Sequence, residues 1–288
     1  MQLDGRREST NVDDRRGGST VAKAGGIGLG GAIIVGLIVL LMGGDPSDVV
    51  QTVQQMGYST EQTYGDYTPT AEEEELATFA KQILAGTEDV WSAIFKQNGK
   101  TYVPPKLVLF SGAVNSGCGS ATSSSGPFYC SGDQCVYLDL SFFSTMKKQY
   151  GAGGDFAYAY VIAHEVGHHV QYLLGTLQQA HSQMNRVSQK QSNQISVRLE
   201  LQADFYAGVW ACNDNKMFGS LEEGDIDDGL AIAAKIGDDY LQKQAYGYTV
   251  PESFNHGTSA QRSRWLKKGI SCGDPSQGDT FSPAYERL

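Results

Sequence analysis

Three residues at a fixed spacing carry the most chemistry in this chain: His164-Glu165-x-x-His168. On a helix, positions i and i+4 project from one face, with their side chains about 6 Å apart. Two neutral imidazoles so placed can hold one Zn²⁺, and Glu165 stands beside them as a base for activated water. With 5 His and 13 Glu in 288 residues, chance alone gives about 0.004 such motifs per chain, treating the motif as three fixed positions. An amphipathic helix with stray histidines is the competing reading. The apolar bracket of Tyr160, Val161, Ile162, Val170, Tyr172 and Leu173 argues against it, because a buried helix must partner two His and a Glu.

Zinc chemistry requires a third protein ligand and an open fourth position. The elongated HExxHxxGxxH pattern fails here, since Gln171 and Leu174 occupy the Gly and third-His positions. Glu200, in Glu200-Leu-Gln-Ala-Asp204, is the expected ligand on a following helix, completing a His164/His168/Glu200 site. Asp204 lies one turn on and is expected to accept the N–H of a liganding imidazole. The competing reading is an exposed, self-repelling acidic pair. His169 points about 100° away from His168 and reads as a supporting or surface residue. His181 lies in a polar stretch and reads as solvated.

The elements that must position these residues are legible in outline. The apolar pattern from Leu76 to Leu84 follows an acidic run, Glu72–Glu75, that suits a helix start. Gly86-Thr87 is expected to break that helix, with Thr87 capping a second one through Phe95. Lys106–Phe110 and the stretches around Phe128–Cys130 and Cys135–Phe143 read as a small sheet, with the Gly/Ser-rich Ser111–Gly126 between. Helical patterns run over Phe156–Leu174, about Asn185–Cys212, and Ile226–Leu241. The class is α+β, mainly helical with a small β-sheet.

Charge and hydropathy place the chain. With 22 Lys+Arg against 32 Asp+Glu, the net charge is −10, so no nucleic-acid partner is expected. A mean hydropathy of −0.31 excludes a polytopic membrane protein. It does not exclude one span, and Ala24–Gly44 holds 21 residues without a charge, enough to cross a bilayer. A cleaved signal peptide fits less well, because its apolar region is normally shorter and no A-x-A-like site follows. Five basic residues (Arg6, Arg7, Arg15, Arg16, Lys23) precede the span, and the next is Lys81. The positive-inside rule then gives a cytoplasmic tail over 1–24, a transmembrane helix over 25–43 in contact with membrane lipid, a linker over 44–71 and an extracytoplasmic domain over 72–288. The expected location is a bacterial cell membrane, single-pass, with the N-terminus cytoplasmic and the domain periplasmic or extracellular. Export makes disulfides expected among Cys118, Cys130, Cys135, Cys212 and Cys272. Cys118–Cys130 and Cys212–Cys272 are the first pairing, leaving Cys135 over, although connectivity stays open on sequence alone. A zinc knuckle at 118/130/135 lacks a CxxC and a nearby His.

The HExxH followed by E-x-x-A-D resembles gluzincin-type membrane metallopeptidases of the HtpX class. The fuller resemblance is to the bacterial neutral zinc metallopeptidase family, the YpfJ-like proteins. It is carried by Gly5–Gly17 (GRRESTNVDDRRG), Cys118-Gly119, Gly126–Cys130, Val136–Phe143, His164–Gln171, Glu200–Asp204, Ile236–Asp239, His256–Arg262 and Gly273–Pro275. Such proteins usually place their last cysteine just before a C-terminal Thr-Phe. Here Gly278-Asp279 precede Thr280-Phe281, and the cysteine sits earlier, at Cys272. The resemblance implies a zincin-like fold, a Zn²⁺ cofactor, a peptide or protein substrate and peptide-bond hydrolysis. It also implies that His256 or Arg262 lies near the reacting carbonyl as an oxyanion donor. A capped helix start at Thr258/Ser259, with Arg262 in a structural ion pair, is the plainer reading of that segment. A zinc-stabilised tethered binding or regulatory protein and a hydrolase of non-peptide amides are the other classes compatible with the motifs.

Overall fold

The computed structural model describes residues 1–17, 21–23, 59–61, 67–150 and 154–288. Within them, β1 (Val12–Asp14), β2 (Val21–Lys23) and β3 (Ser59–Glu61) precede the first helix, α1 (Ala71–Gln97). Then come β4 (Lys106–Phe110), β5 (Ala113–Ser116), β6 (Gly119–Thr122), β7 (Phe128–Cys130) and β8 (Cys135–Asp139). The helical half holds α2 (Ser141–Tyr150), α3 (Asp155–Leu174), α4 (Thr176–Met184), α5 (Gln189–Phe218), α6 (Asp225–Lys235), α7 (Asp238–Tyr246) and α8 (Ser259–Cys272).

The main sheet has the order β1-β4-β8-β7, with β1/β4 and β4/β8 parallel and β7/β8 antiparallel. β7 is therefore an edge strand. β2 pairs with β3 and β5 with β6 in separate two-stranded ribbons. Helices α1, α3, α5 and one face of the sheet enclose a single large core built on Trp91, Phe143, Phe156, Phe205 and Trp210.

α1 runs unbroken through Gly86-Thr87, against the expected break. Thr70 and Glu73 form a capping box at its start, and the Thr87 hydroxyl donates to the Leu84 carbonyl at 2.7 Å, inside the helix. Gly86 serves packing: a Cβ there would stand 2.7 Å from Asp214 Oδ1 and 2.9 Å from Arg6 Nη2. The helical pattern over 226–241 is two helices, divided at Gly237, whose added Cβ would meet Ser259 N at 2.3 Å. α8 follows a Thr258/Gln261 capping box, as the plainer reading of that segment had it.

The expected transmembrane helix, and the single-pass location in a bacterial cell membrane, must be corrected. No helix of the described residues is long and apolar enough to cross a membrane; the segment 25–43 itself lies outside them. More directly, the tail assigned to the cytoplasm is part of the domain. Val12, Asp13 and Asp14 pair with Leu107, Val108 and Leu109. Arg6 reaches buried Asp214 at 2.8 Å, Arg7 reaches Glu88 and Asp89 at 2.9 and 2.6 Å, and Arg16 reaches Glu74 at 2.9 Å. Strands in one hydrogen-bonded sheet share one side of a bilayer, so an N-terminus opposite the domain is incompatible with this register. Of the basic residues that looked like a topology signal, Arg6, Arg7 and Arg16 are ion-pair partners of α1 and α5.

Cys118–Cys130 is a disulfide. The expected Cys212–Cys272 bridge is not formed, and Cys135, Cys212 and Cys272 are free. The Cys212 sulfur lies against Gly273, while Cys272 turns its own towards the carbonyls of Gly269 and Asp274.

Candidate metal centre

α3 carries His164, Glu165 and His168; α5 carries Glu200 and Asp204. The two helices approach closely because Gly167, within the motif, has no side chain: a Cβ there would lie 3.0 Å from the Ala203 carbonyl oxygen. That approach delivers Glu200 to the histidines. Its Oε2 lies 3.1 Å from His164 Nε2 and its Oε1 3.4 Å from His168 Nε2. One ligand atom from each of the three residues can be chosen so that all lie within 4.8 Å of one another.

The far ring nitrogens fix the tautomers. His164 Nδ1 donates to Asp204 Oδ1 at 2.8 Å, and His168 Nδ1 donates to Gln171 Oε1 at 2.9 Å. Both Nε2 lone pairs then face a carboxylate, which is repulsive unless positive charge stands between them. Tetrahedral N/O donors around zinc are themselves about 3.3 Å apart, so the donor set and spacing fit that ion. Burial opposes charge on His164, yet Asp204 and Glu200 outweigh it and carry its pKa up to about 10. The same cluster favours cationic charge of any kind. A divalent cation satisfies it while leaving the imidazoles neutral.

Asp204 is fully buried and accepts from four donor atoms. Tyr160 Oη (2.5 Å) and Arg262 Nη2 (2.9 Å) join His164 on Oδ1, and Arg262 Nε (2.9 Å) takes Oδ2. Burial would raise its pKa; Arg262 and His164 prevail and lower it to about 2. Arg262 is thus a support, its Nε and Nη2 turned to Asp204 and its Nη1 to the Ile236 carbonyl at 3.4 Å.

His256 is built differently. Its Nδ1 lies 3.1 Å from Oδ1 of buried Asp238, whose Oδ2 takes the backbone amides of His256 and Gly257. With Nδ1 so engaged, Nε2 is the atom left for the cavity that His256 lines. Burial lowers its pKa, and Asp238 more than offsets this, leaving it raised.

A cavity of about 410 Å³ opens onto the cluster. His164, Glu165, His168, Glu200, His256 and Arg262 all line it, while Asp204 lies behind His164, off the cavity. Glu165 is buried; desolvation raises its pKa, against the charges of His164 and His168. His181, expected to be merely solvated, is exposed yet also lines the cavity. His169 is fully buried, bonded to Tyr129 Oη at 3.0 Å and the Val103 carbonyl at 2.7 Å. Gln171 is a support that pattern reading missed. It holds His168 and donates to the Leu199 carbonyl at 2.7 Å and Gln202 at 3.1 Å. Its i+3 spacing from His168 was the available signal.

Two imidazoles from α3 and a carboxylate from α5, with Asp204 and Gln171 behind the imidazoles, form a group that could hold a metal ion. The chain belongs to the family described as "Putative neutral zinc metallopeptidase", which matches residues 1–281. It is 46% identical to the uncharacterized protein YpfJ of Escherichia coli over 286 residues, 98% of this chain and 99% of that one. It is 43% identical over 216 residues to the uncharacterized protein Rv2575 of Mycobacterium tuberculosis, covering 72% of each. No solved structure matches.

Proposed function

We propose that the chain hydrolyses peptide bonds in a peptide or protein substrate, with His164, His168 and Glu200 holding Zn²⁺ and Glu165 as the general base. The observation that carries this reading is the position of Glu165: buried, and on the cavity wall beside the ligand trio. Zinc, when bound, acidifies water and polarises a carbonyl. Glu165 takes the proton from the attacking water and passes it to the leaving amine, a role favoured by its raised pKa. His256 donates from Nε2 to the oxyanion, with Asp238 orienting the ring. Arg262 and Tyr160 act through Asp204, which fixes His164. Among the described residues no strand pairs with the outer edge of β7, and Phe128 and Tyr129 line the cavity, so an extended substrate can add as a strand there. The wall beyond the cluster is apolar at Phe142, Leu177, Leu199 and Leu241, which suits an apolar residue next to the scissile bond.

Glu165→Gln tests the reading. Zinc content by metal analysis should stay at one per chain while turnover of a mixed peptide pool falls by about 10²–10⁴. Wild-type chain that binds zinc yet cleaves no peptide would favour a zinc-stabilised binding protein instead.

A further inference from the structure

Cys130 is bonded to Cys118, and Cys135 is a buried free thiol. The three are not independent. In the antiparallel β7/β8 ladder, Cys130 and Cys135 are directly opposed residues. Such residues have Cα atoms about 4.5–5.5 Å apart, inside the range of about 4.4–6.8 Å that a disulfide spans. Both belong to one packed cluster with Val114 and Ala121 of the β5–β6 hairpin. Cys118 sits in the turn of that hairpin and lines the cavity at the metal centre. Cys130 therefore has one partner across a loop and a second across its own ladder.

We infer that Cys118, Cys130 and Cys135 form an exchange trio, in which Cys135 displaces Cys118 from Cys130 and frees Cys118 at the cavity wall. Cys135 loses its proton, and its thiolate attacks Cys130 Sγ. The Cys118–Cys130 bond breaks as the Cys130–Cys135 bond forms. Cys118 departs with the electron pair and takes up a proton. One thiol and one disulfide exist before and after, so no oxidant or reductant is consumed.

The two pairings differ in what ties the hairpin down. In the first, it is covalently joined to β7, the strand whose Phe128 and Tyr129 line the cavity. In the second, it keeps the bond from Gly117 N to Asp133 Oδ2 at 2.6 Å and the packing of Val114 and Ala121. The trio thus couples disulfide arrangement to one wall of the cavity. It goes beyond the peptidase reading and is tested without an activity assay.

The surroundings of Cys135 set the rate. Burial and Asp133 push its thiol up, while Lys106, its register partner on β4, and Arg15 oppose them. Tyr129 and Tyr137 are the other titratable groups facing it. Only the thiolate attacks, so below the thiol's pKa the exchange quickens about tenfold per pH unit.

The experiment uses the full wild-type chain, held at pH 7, 8 and 9 without added oxidant or reductant. Thiols are trapped with N-ethylmaleimide at mildly acidic pH, and linkages are mapped by mass spectrometry of an acidic digest. The expected result is a Cys130–Cys135 peptide with labelled Cys118, growing about tenfold faster at pH 8 than at pH 7. Total label stays at the three free thiols. Cys135→Ser should keep Cys118–Cys130 alone, and Cys118→Ser should close Cys130–Cys135 under a mild oxidant. Cys118–Cys130 as the sole linkage at every pH, with Cys135 always labelled, overturns the proposal. So does a folded Cys118→Ser chain in which Cys130 and Cys135 stay reduced under the oxidant. The wild-type mapping stands whether or not either variant folds.

Discussion

At the scale of single residues, the candidate centre depends on who holds each ring nitrogen. Gln171 holds His168 and is itself anchored on the Leu199 carbonyl. Gln171→Leu is expected to weaken zinc binding by about 10- to 100-fold, read by competition with a chelating dye. Protonation gives a second residue-level expectation. Glu165 must be ionised to accept a proton, and its pKa is raised by burial. Activity should therefore fall with decreasing pH at a point above the ordinary carboxylate range. His256 must be protonated at Nε2 to donate, and its pKa is also raised, so activity should fall again as pH climbs through that value. His256→Phe should lower kcat/KM by about 10²–10³ and remove the alkaline limb. A variant keeping both the rate and the limb would dismiss His256 as the donor.

At the scale of elements, two glycines decide whether α5 and α8 can meet. A Cβ at Gly208 would stand 2.3 Å from the Leu266 carbonyl oxygen, and one at Gly269 would stand 2.1 Å from that of Phe205. The helices touch backbone to backbone, and this contact carries Arg262 of α8 to Asp204 of α5. Gly269→Ala adds a single methyl group in open space on paper, but here it forces the helices apart. The expected cost is about 2–3 kcal/mol in denaturant unfolding, with reduced zinc affinity as Arg262 withdraws. Thermal and urea midpoints equal to wild type would show that the crossing tolerates separation.

At the scale of the whole molecule, the N-terminal segment is a structural part of the domain. Asp214 is 1% exposed, and Arg6 is its ion-pair partner. Arg6 also lies 3.8 Å over the ring of Phe218. Removing one partner of a buried pair leaves an uncompensated charge. Arg6→Met should therefore destabilise the domain by about 3 kcal/mol, or on the order of 10 °C in Tm. Asp214→Asn in the same chain should recover part of that loss, because the stranded charge is gone. A lone Arg6→Met variant as stable as wild type would mean that the tail is only loosely attached.

The sequence alone settled what depends on local spacing. HExxH is a statement about one helix face, so it named His164, Glu165 and His168, and the helix-borne Glu200 and Asp204 followed from the same i, i+4 rule. The strand Lys106–Phe110 and the helical patterns that became α3 and α5 were legible for the same reason, since periodicity is a local property. What spacing cannot encode is which distant segment meets which. Gly86 reads as a helix breaker until Asp214 and Arg6 are seen to fill the room its side chain would take. The basic tail reads as a topology signal until Glu74, Glu88, Asp89 and Asp214 are seen to be its partners. Gln171 reads as a failed motif position until it is found holding His168. Charge, size and hydrogen-bonding capacity are written in each residue, but their meaning is fixed by the group that tertiary packing sets against them.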